Sequence, residues 1–257
     1  MSVIGLKTNI TDTRQMGSDP TYYKRNFEDY KKNIYDISIS MNYDDDILFE
    51  KREATITDLF FSDIQSRIIL VFITIFVSFF IGSEWTSGFI KNISNELFDR
   101  GKLVFSKFIS VAIFLAGLII SYYVFSGILF SFIFGYIHIG LTQHTIWQFL
   151  CQYILHLAFA SLIILLAYLV KNPAICVPFG VVAAVNIFSL FYSKIDLGIR
   201  HFYHGFKTIM DYTVTGNIAF IGIDANASKL VLASSVSLFF ICFSLFFSYR
   251  SLKKSEI

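Results

Sequence analysis

Read from its N-terminus, the chain is polar as far as Ile64 and then alternates long apolar runs with short charged breaks. The runs carry no amphipathic stripe; they are apolar all round, as helices that cross a bilayer are. A first span is expected over Ile68–Gly82, followed by a charged, amphipathic stretch to Lys107. From Phe108 to Gly140 no charged residue occurs. As a helix this stretch would be about 50 Å long, too much for one upright span and too little for two spans and a turn. The pattern predicts a single long or broken helix that ends in an excursion around Gly127–Gly140. Trp147–Val170 and Ala174–Tyr192 read as two further spans on either side of Lys171-Asn172-Pro173. Residues Ser193–Ser228 read as a polar loop, and Leu230–Phe247 as the last span before Arg250, Lys253 and Lys254. The expected fold is an all-α integral membrane protein of about five spans, with a polar segment over 1–64, a transmembrane domain over 65–249 and a short tail over 250–257.

Composition agrees with this reading. Of the 257 residues 55% are hydrophobic and only 16% charged, against about a quarter charged in a soluble domain. A net charge of +2 without a basic stripe gives no sign of a nucleic-acid partner, and none is expected. Cys151, Cys176 and Cys242 lie in or beside apolar runs without C-x-x-C spacing, so they read as small buried side chains. Asp44, Asp45 and Asp46 lack the glycine and the later Glu of a calcium loop. His201 and His204 have helical spacing but no acidic third ligand nearby, so no metal site is expected. Lys and Arg do not orient the spans, because alternative topologies place equal numbers of cations on one side.

The stretch Phe79–Asn92, FFIGSEWTSGFIKN, interrupts this pattern. Glu84 follows the last apolar residues by a few positions, where an ionised carboxylate needs a partner or water. Trp85 suits the headgroup level. Gly88 has no side chain and would let another backbone approach. Lys91 lies about two helical turns beyond Glu84, so the pair could share one face. Two readings fit these residues: an ordinary interfacial helix, or a lever pressed against a cytosolic partner. Within the spans, His156 and Asn186 fit either a substrate path or interhelical hydrogen bonding.

Ile81–Lys107 resembles the signature of ABC-2 type permeases, in particular the bacitracin and lantibiotic exporter group, whose pattern is close to F-I-G-x-E-[FYW]-x-x-G-T-[IF]-K-N. Gly82, Glu84, Gly88, Lys91, Asn92, Arg100 and Lys107 match; Phe89 stands where the family has Thr. The resemblance implies a six-helix fold and makes these seven residues an ATPase-coupling interface on the cytoplasmic side. It puts the C-terminal tail inside and residues 1–64 outside. A helix before Met1 is then missing, and no signal peptide replaces it, so a truncated reading frame or a misplaced start is the expectation.

The function implied is that of a permease subunit of an ATP-driven exporter in a bacterial plasma membrane, moving a hydrophobic or amphipathic compound such as an antimicrobial peptide. Its partners would be a cytosolic ABC ATPase, a second permease copy or paralogue, and membrane lipid. No G-x-x-x-x-G-K-[ST] loop occurs. The chain is therefore expected to be no enzyme and to hold no cofactor, with ATP and Mg on the partner. The alternatives are a stand-alone membrane immunity or sensory protein and a non-functional permease remnant. An intramembrane hydrolase would need paired acids or an acid–His set at bilayer depth, and Glu84 stands alone at the edge.

Overall fold

The computed structural model describes residues 55–88, 100–134, 138–189, 191–192, 194–196, 208–222 and 225–254. All lie in one unit, Leu48–Ile257, of the two into which the chain divides. Every regular element among the described residues is helical. Four of these helices are long and apolar enough to cross a membrane.

The first helix, α1 (Ile56–Gln65), begins at a reciprocal cap. The Thr55 hydroxyl accepts from the Asp58 amide, and Asp58 Oδ2 accepts from the Thr55 amide at 2.9 Å. Ile56, Phe60, Phe61 and Ile64 are buried, and Phe60 packs against Tyr123 and Phe149 with ring centroids 5.2 and 4.9 Å apart. The last ten residues of the polar leader thus form an amphipathic helix laid on the bundle. A tight turn with Arg67 left-handed (φ 65°) leads into α2 (Ile68–Thr86).

Along α2 the exposed positions include Ile68, Phe72, Ile75 and Phe79, while Ile69, Leu70, Ile73, Thr74, Val77, Ser78 and Ile81 are buried. Both faces carry large apolar side chains, and what sets the buried face apart is Thr74, Ser78 and Gly82. In a bilayer apolar surface gains nothing by turning inward, and close approach of backbones decides which face packs. The next helix, α3 (Arg100–Phe134), is one unbroken rod of 35 residues. It starts in the stretch read as a separate charged segment and continues helical through Gly127 to Phe134, within the region expected as an excursion around Gly127–Gly140. No proline interrupts it, and in hydrocarbon a continuous helix is the one backbone form that satisfies every N–H and C=O within the segment. Phe76 of α2 stacks on Phe114 of α3 with centroids 3.6 Å apart.

Helix α4 (Gln143–Val170) is capped by Thr142 and ends with Lys171 left-handed at φ 57°. Asn172 then caps α5 (Pro173–Ala184), which has Pro173 in its first turn. Here the structure departs from the expected fourth span over Ala174–Tyr192. Helix α5 has only 12 residues, about 18 Å at the α-helical rise. It stops because Asn186 turns left-handed (φ 58°), a conformation that Asn tolerates, and its side-chain oxygen accepts from Thr215 Oγ1 at 3.2 Å. The apolar residues run on past this break, so hydropathy alone reads one continuous span.

The segment expected as a polar loop over Ser193–Ser228 contains a 3-10 turn (Ile209–Tyr212) and a short helix, α6 (Val214–Phe220). Glutamines of α4 hold the end of α6. Gln152 Nε2 donates to the carbonyls of Ile218 (3.2 Å) and Ile221 (2.6 Å), and Gln148 Nε2 donates to Gly222 at 3.1 Å. Carbonyls at a helix C-terminus have no partner of their own, and here side-chain amides from the next helix supply them.

The last helix, α7 (Ala227–Lys254), lies along α4. Ser234 Oγ meets Cys151 Sγ at 3.6 Å and Ser251 Oγ donates to Tyr168 O at 3.3 Å, both across an offset of 83 residues. A constant offset means that the two helices run parallel in register. It sets Ser161 level with Ser244, both fully buried, and small hydroxylated residues at such a seam let backbones come close. Helices α2, α4 and α7 therefore run one way through the bundle, and α3 and α5 the other.

A side chain at Gly180 would overlap Thr74 Cγ2 and sit 3.0 Å from Ile163 Cδ1. Gly180→Ala should cost about 1–3 kcal/mol, read as a lower melting temperature in detergent. The loss should shrink in a Thr74→Ala background; equal losses in both would refute this packing.

Asp63, at the end of α1, accepts from the Tyr122 hydroxyl at 3.1 Å. Partial burial nonetheless raises its pKa above the ordinary 3.8. A folded-state pKa above the unfolded value favours the protonated protein, so stability falls as pH rises from about 4 through the folded pKa. Asp63→Asn should then gain in melting temperature over wild type as pH goes from 4 to 7. A difference that is flat with pH would contradict this.

Candidate functional site

The interrupting motif falls at the end of α2, where α2, α3, α4 and α5 meet. Successive residues on a helix point about 100° apart, so neighbouring positions of the motif reach different helices. Gly82 faces α5: a Cβ there would lie 2.9 Å from both Cβ and Cδ of Pro173. Only a residue without a side chain lets the first turn of α5 touch α2.

Glu84 faces α3. Its Oε1 is ion-paired with Lys107 Nζ, and both side chains are largely buried, at 16% and 15% exposure. Glu84 lies in the last turn of α2, where the helix dipole opposes a carboxylate, so the pairing lysine has to come from another element. The same ammonium sits 4.3 Å from the centroid of the Phe80 ring. Phe80 is one turn before Glu84, so one face of α2 offers Lys107 both a carboxylate and an aromatic face.

Trp85 faces α4. Its ring packs edge-to-face with Tyr168, centroids 6.4 Å apart, and Lys171 Nζ lies 4.7 Å from its centroid. Its ring is thus clamped between Tyr168 of α4 and Lys171 of the turn that follows α4. Phe80, Tyr168, Lys171 and Pro173 are the members of this cluster that reading the sequence missed. The Lys-Asn-Pro break was its visible signal, since it marks the turn that brings α4 and α5 to the end of α2.

Helix α2 stops at Thr86, and Gly88 is left-handed at φ +73°. A Cβ on Gly88 would meet nothing within 4 Å. Among the described residues its glycine serves the backbone conformation. Because α2 ends there, its helical register does not carry on from Glu84 to Lys91. Lys91 and Asn92 lie outside the described residues, and Arg100 is the first residue of α3.

His156 and Asn186 are not in this cluster. His156 is fully buried, with Nδ1 2.7 Å from the Gln152 carbonyl of its own helix. Asn186 is buried at the α5 break, held by Thr215. His201, His204 and Asp44–Asp46 lie outside the described residues. Among those described, no three His, Cys, Asp or Glu side chains converge as metal ligands.

Residues 39–189, more than half of the chain, match the model of a family described as ABC-2 family transporter protein. No curated protein and no solved structure matches the chain.

Removing one member of a buried ion pair leaves the other charge uncompensated, at about 3–5 kcal/mol. Lys107→Ala should lower the melting temperature of the purified protein accordingly. The Lys107→Ala/Glu84→Ala double variant should lose less than the sum of the two single losses. Additive losses would mean that the two side chains do not depend on each other.

Proposed function

We infer the function from one premise: the chain belongs to the ABC-2 transporter family, and it is a membrane permease component of an ABC transporter. In our reading the energy comes from a separate cytosolic ATPase that carries the ATP and Mg, and the end of α2 is where its movement enters the bundle. That end then faces the cytoplasm, with the C-terminal end of α7 on the same side.

The observation that carries this reading is the three-way contact of the α2 end, through Gly82, Glu84 and Trp85, with α5, α3 and α4. A force applied to the residues after Gly88 would act on a helix end already tied to three neighbours. The left-handed Gly88 sets the angle at which the chain leaves α2. Lys91, Asn92 and Arg100, which match the family pattern beyond that point, would complete the surface offered to the ATPase. The charge at Glu84 is held by Lys107 rather than by solvent, so the joint moves as a packed unit.

Two permease copies, identical or paralogous, would enclose a path and expose it alternately to the two sides. The likeness of Ile81–Lys107 to bacitracin and lantibiotic exporters favours export from a bacterial plasma membrane, with a hydrophobic or amphipathic compound such as an antimicrobial peptide as cargo. Immunity to such a compound is the corresponding cellular role.

A pull-down of the tagged chain from native membranes in mild detergent, followed by mass spectrometry, tests the reading. An ATPase with a Walker loop should be retained, and Glu84→Ala or Gly88→Leu should reduce its recovery about tenfold, the effect of a hot-spot loss of 1.4 kcal/mol or more. If the stably inserted chain retains no ATPase under conditions that keep one on a known permease, a stand-alone immunity or sensory protein becomes the better reading, with a permease remnant beside it.

A further inference from the structure

Glu84 has two carboxylate oxygens, and the structure uses one. Oε1 is paired with Lys107, while Oε2 is buried without a hydrogen-bond partner among the described residues. Across the joint, on α4, the Tyr168 hydroxyl is likewise buried and without a partner among the described residues. The side chain is 1% exposed. The Tyr168 ring packs on Trp85, the residue that follows Glu84, so the two groups lie at the same helix end. An acceptor and a donor, both desolvated and both unpaired, thus face one joint from two helices. Buried polar groups are nearly always bonded, so an orphaned pair of complementary groups calls for an explanation.

Tyr168 also reaches the far side of α4. Its carbonyl accepts from Ser251 Oγ of α7 at 3.3 Å, and its ring meets Trp85 of α2 edge-on. Among the described residues it therefore touches the moving end proposed for α2 and the parallel helix behind α4.

We propose that Tyr168 is a second, alternating partner of Glu84 and the positioning residue that passes movement of the α2 end on to α4 and α7. This rests on the ATPase-coupled reading above and deepens it. A carboxylate accepts on both oxygens, so a small displacement of the last turn of α2 toward α4 lets the hydroxyl donate to Oε2 while Lys107 keeps Oε1. The joint then has two states that differ by one charge-assisted hydrogen bond. In both, α2 and α3 stay linked; what changes is how firmly α4, with α7 in register behind it, follows α2.

The test uses the full chain with its co-purified ATPase in proteoliposomes. Spin labels are placed on cysteines introduced at Ser87 and Lys253, in a background without Cys151, Cys176 and Cys242. The change in the distance between labels on adding ATP and vanadate is compared in wild type and Tyr168→Phe. Phe keeps the ring and its contact with Trp85 and removes only the hydroxyl. The expected result is an ATPase that stays bound and hydrolyses ATP, with the ATP-dependent change in distance at least about fivefold larger than in wild type, because α7 no longer follows the end of α2. Incorporating 3-fluorotyrosine at position 168, which restores a hydroxyl of stronger donor character, should bring the change in distance back to the wild-type value. A Tyr168→Phe complex that hydrolyses ATP and moves like wild type overturns the relay while leaving the coupling reading intact. Failure of the wild-type chain to retain any ATPase overturns both.

Discussion

An ionised carboxylate in the last turn of a helix, at the edge of an apolar run, is the constraint around which this bundle is arranged. Water would satisfy Glu84 easily, but the side chain is largely buried, and the dipole of its own helix disfavours it. Lys107 resolves this from α3, two turns after that helix begins, and the charged start of α3 has to run alongside α2 for the pair to meet. The other contacts of the α2 end follow from helix geometry. Once one face is committed to Lys107, Trp85 turns to α4 and Gly82 to α5, where only a bare backbone leaves room for Pro173.

Away from that end the bundle is held by close approach rather than by segregation of apolar from polar surface. Bulky Phe and Ile point outward on α2, while Thr74, Ser78, Ser161, Ser244 and Ser248 are buried. With hydrocarbon outside, these large side chains lose nothing by exposure, and dispersion between closely packed small residues holds the helices together. Thr74 satisfies its hydroxyl on the Leu70 carbonyl and Ser161 on that of Ala158, whereas the Ser244 and Ser248 hydroxyls are buried without a partner among the described residues. The in-register parallel seam of α4 and α7 is the longest expression of this rule.

The opposite end of the bundle is governed by the backbone. There the chain leaves regular helix several times, and each departure exposes carbonyls that the apolar surroundings cannot satisfy. His138 O accepts from the Ile56 amide, and Gln148, Gln152 and His144 reach the carbonyls of 218–225. Polar side chains in the first half of α4 thus serve to hold segments that hydropathy would leave as free loops. They need no substrate to account for them, although the sequence offers none of the carbonyls as their visible partners.

The residues by themselves determined the class of the protein: runs apolar on every side, broken by charge, admit only membrane helices, because no water-facing packing accommodates them. They also determined the Lys171-Asn172-Pro173 break, since an Asn cap and a proline without an N–H start a new helix wherever they occur. The motif around Glu84 was legible as a pattern, and its family is the one whose model the chain matches. Its contacts were not legible, because they come from residues 23 to 91 positions further along the chain, and sequence spacing says nothing about which helix ends converge. Tertiary structure alone decided that α3 is unbroken, that the helix over the fourth apolar run stops short of Asn186 while the apolar residues continue, and that the leader ends in a packed helix. Each depends on whether a backbone group finds its partner within its own helix or on a neighbour, and hydropathy, which weighs side chains, carries no record of that choice.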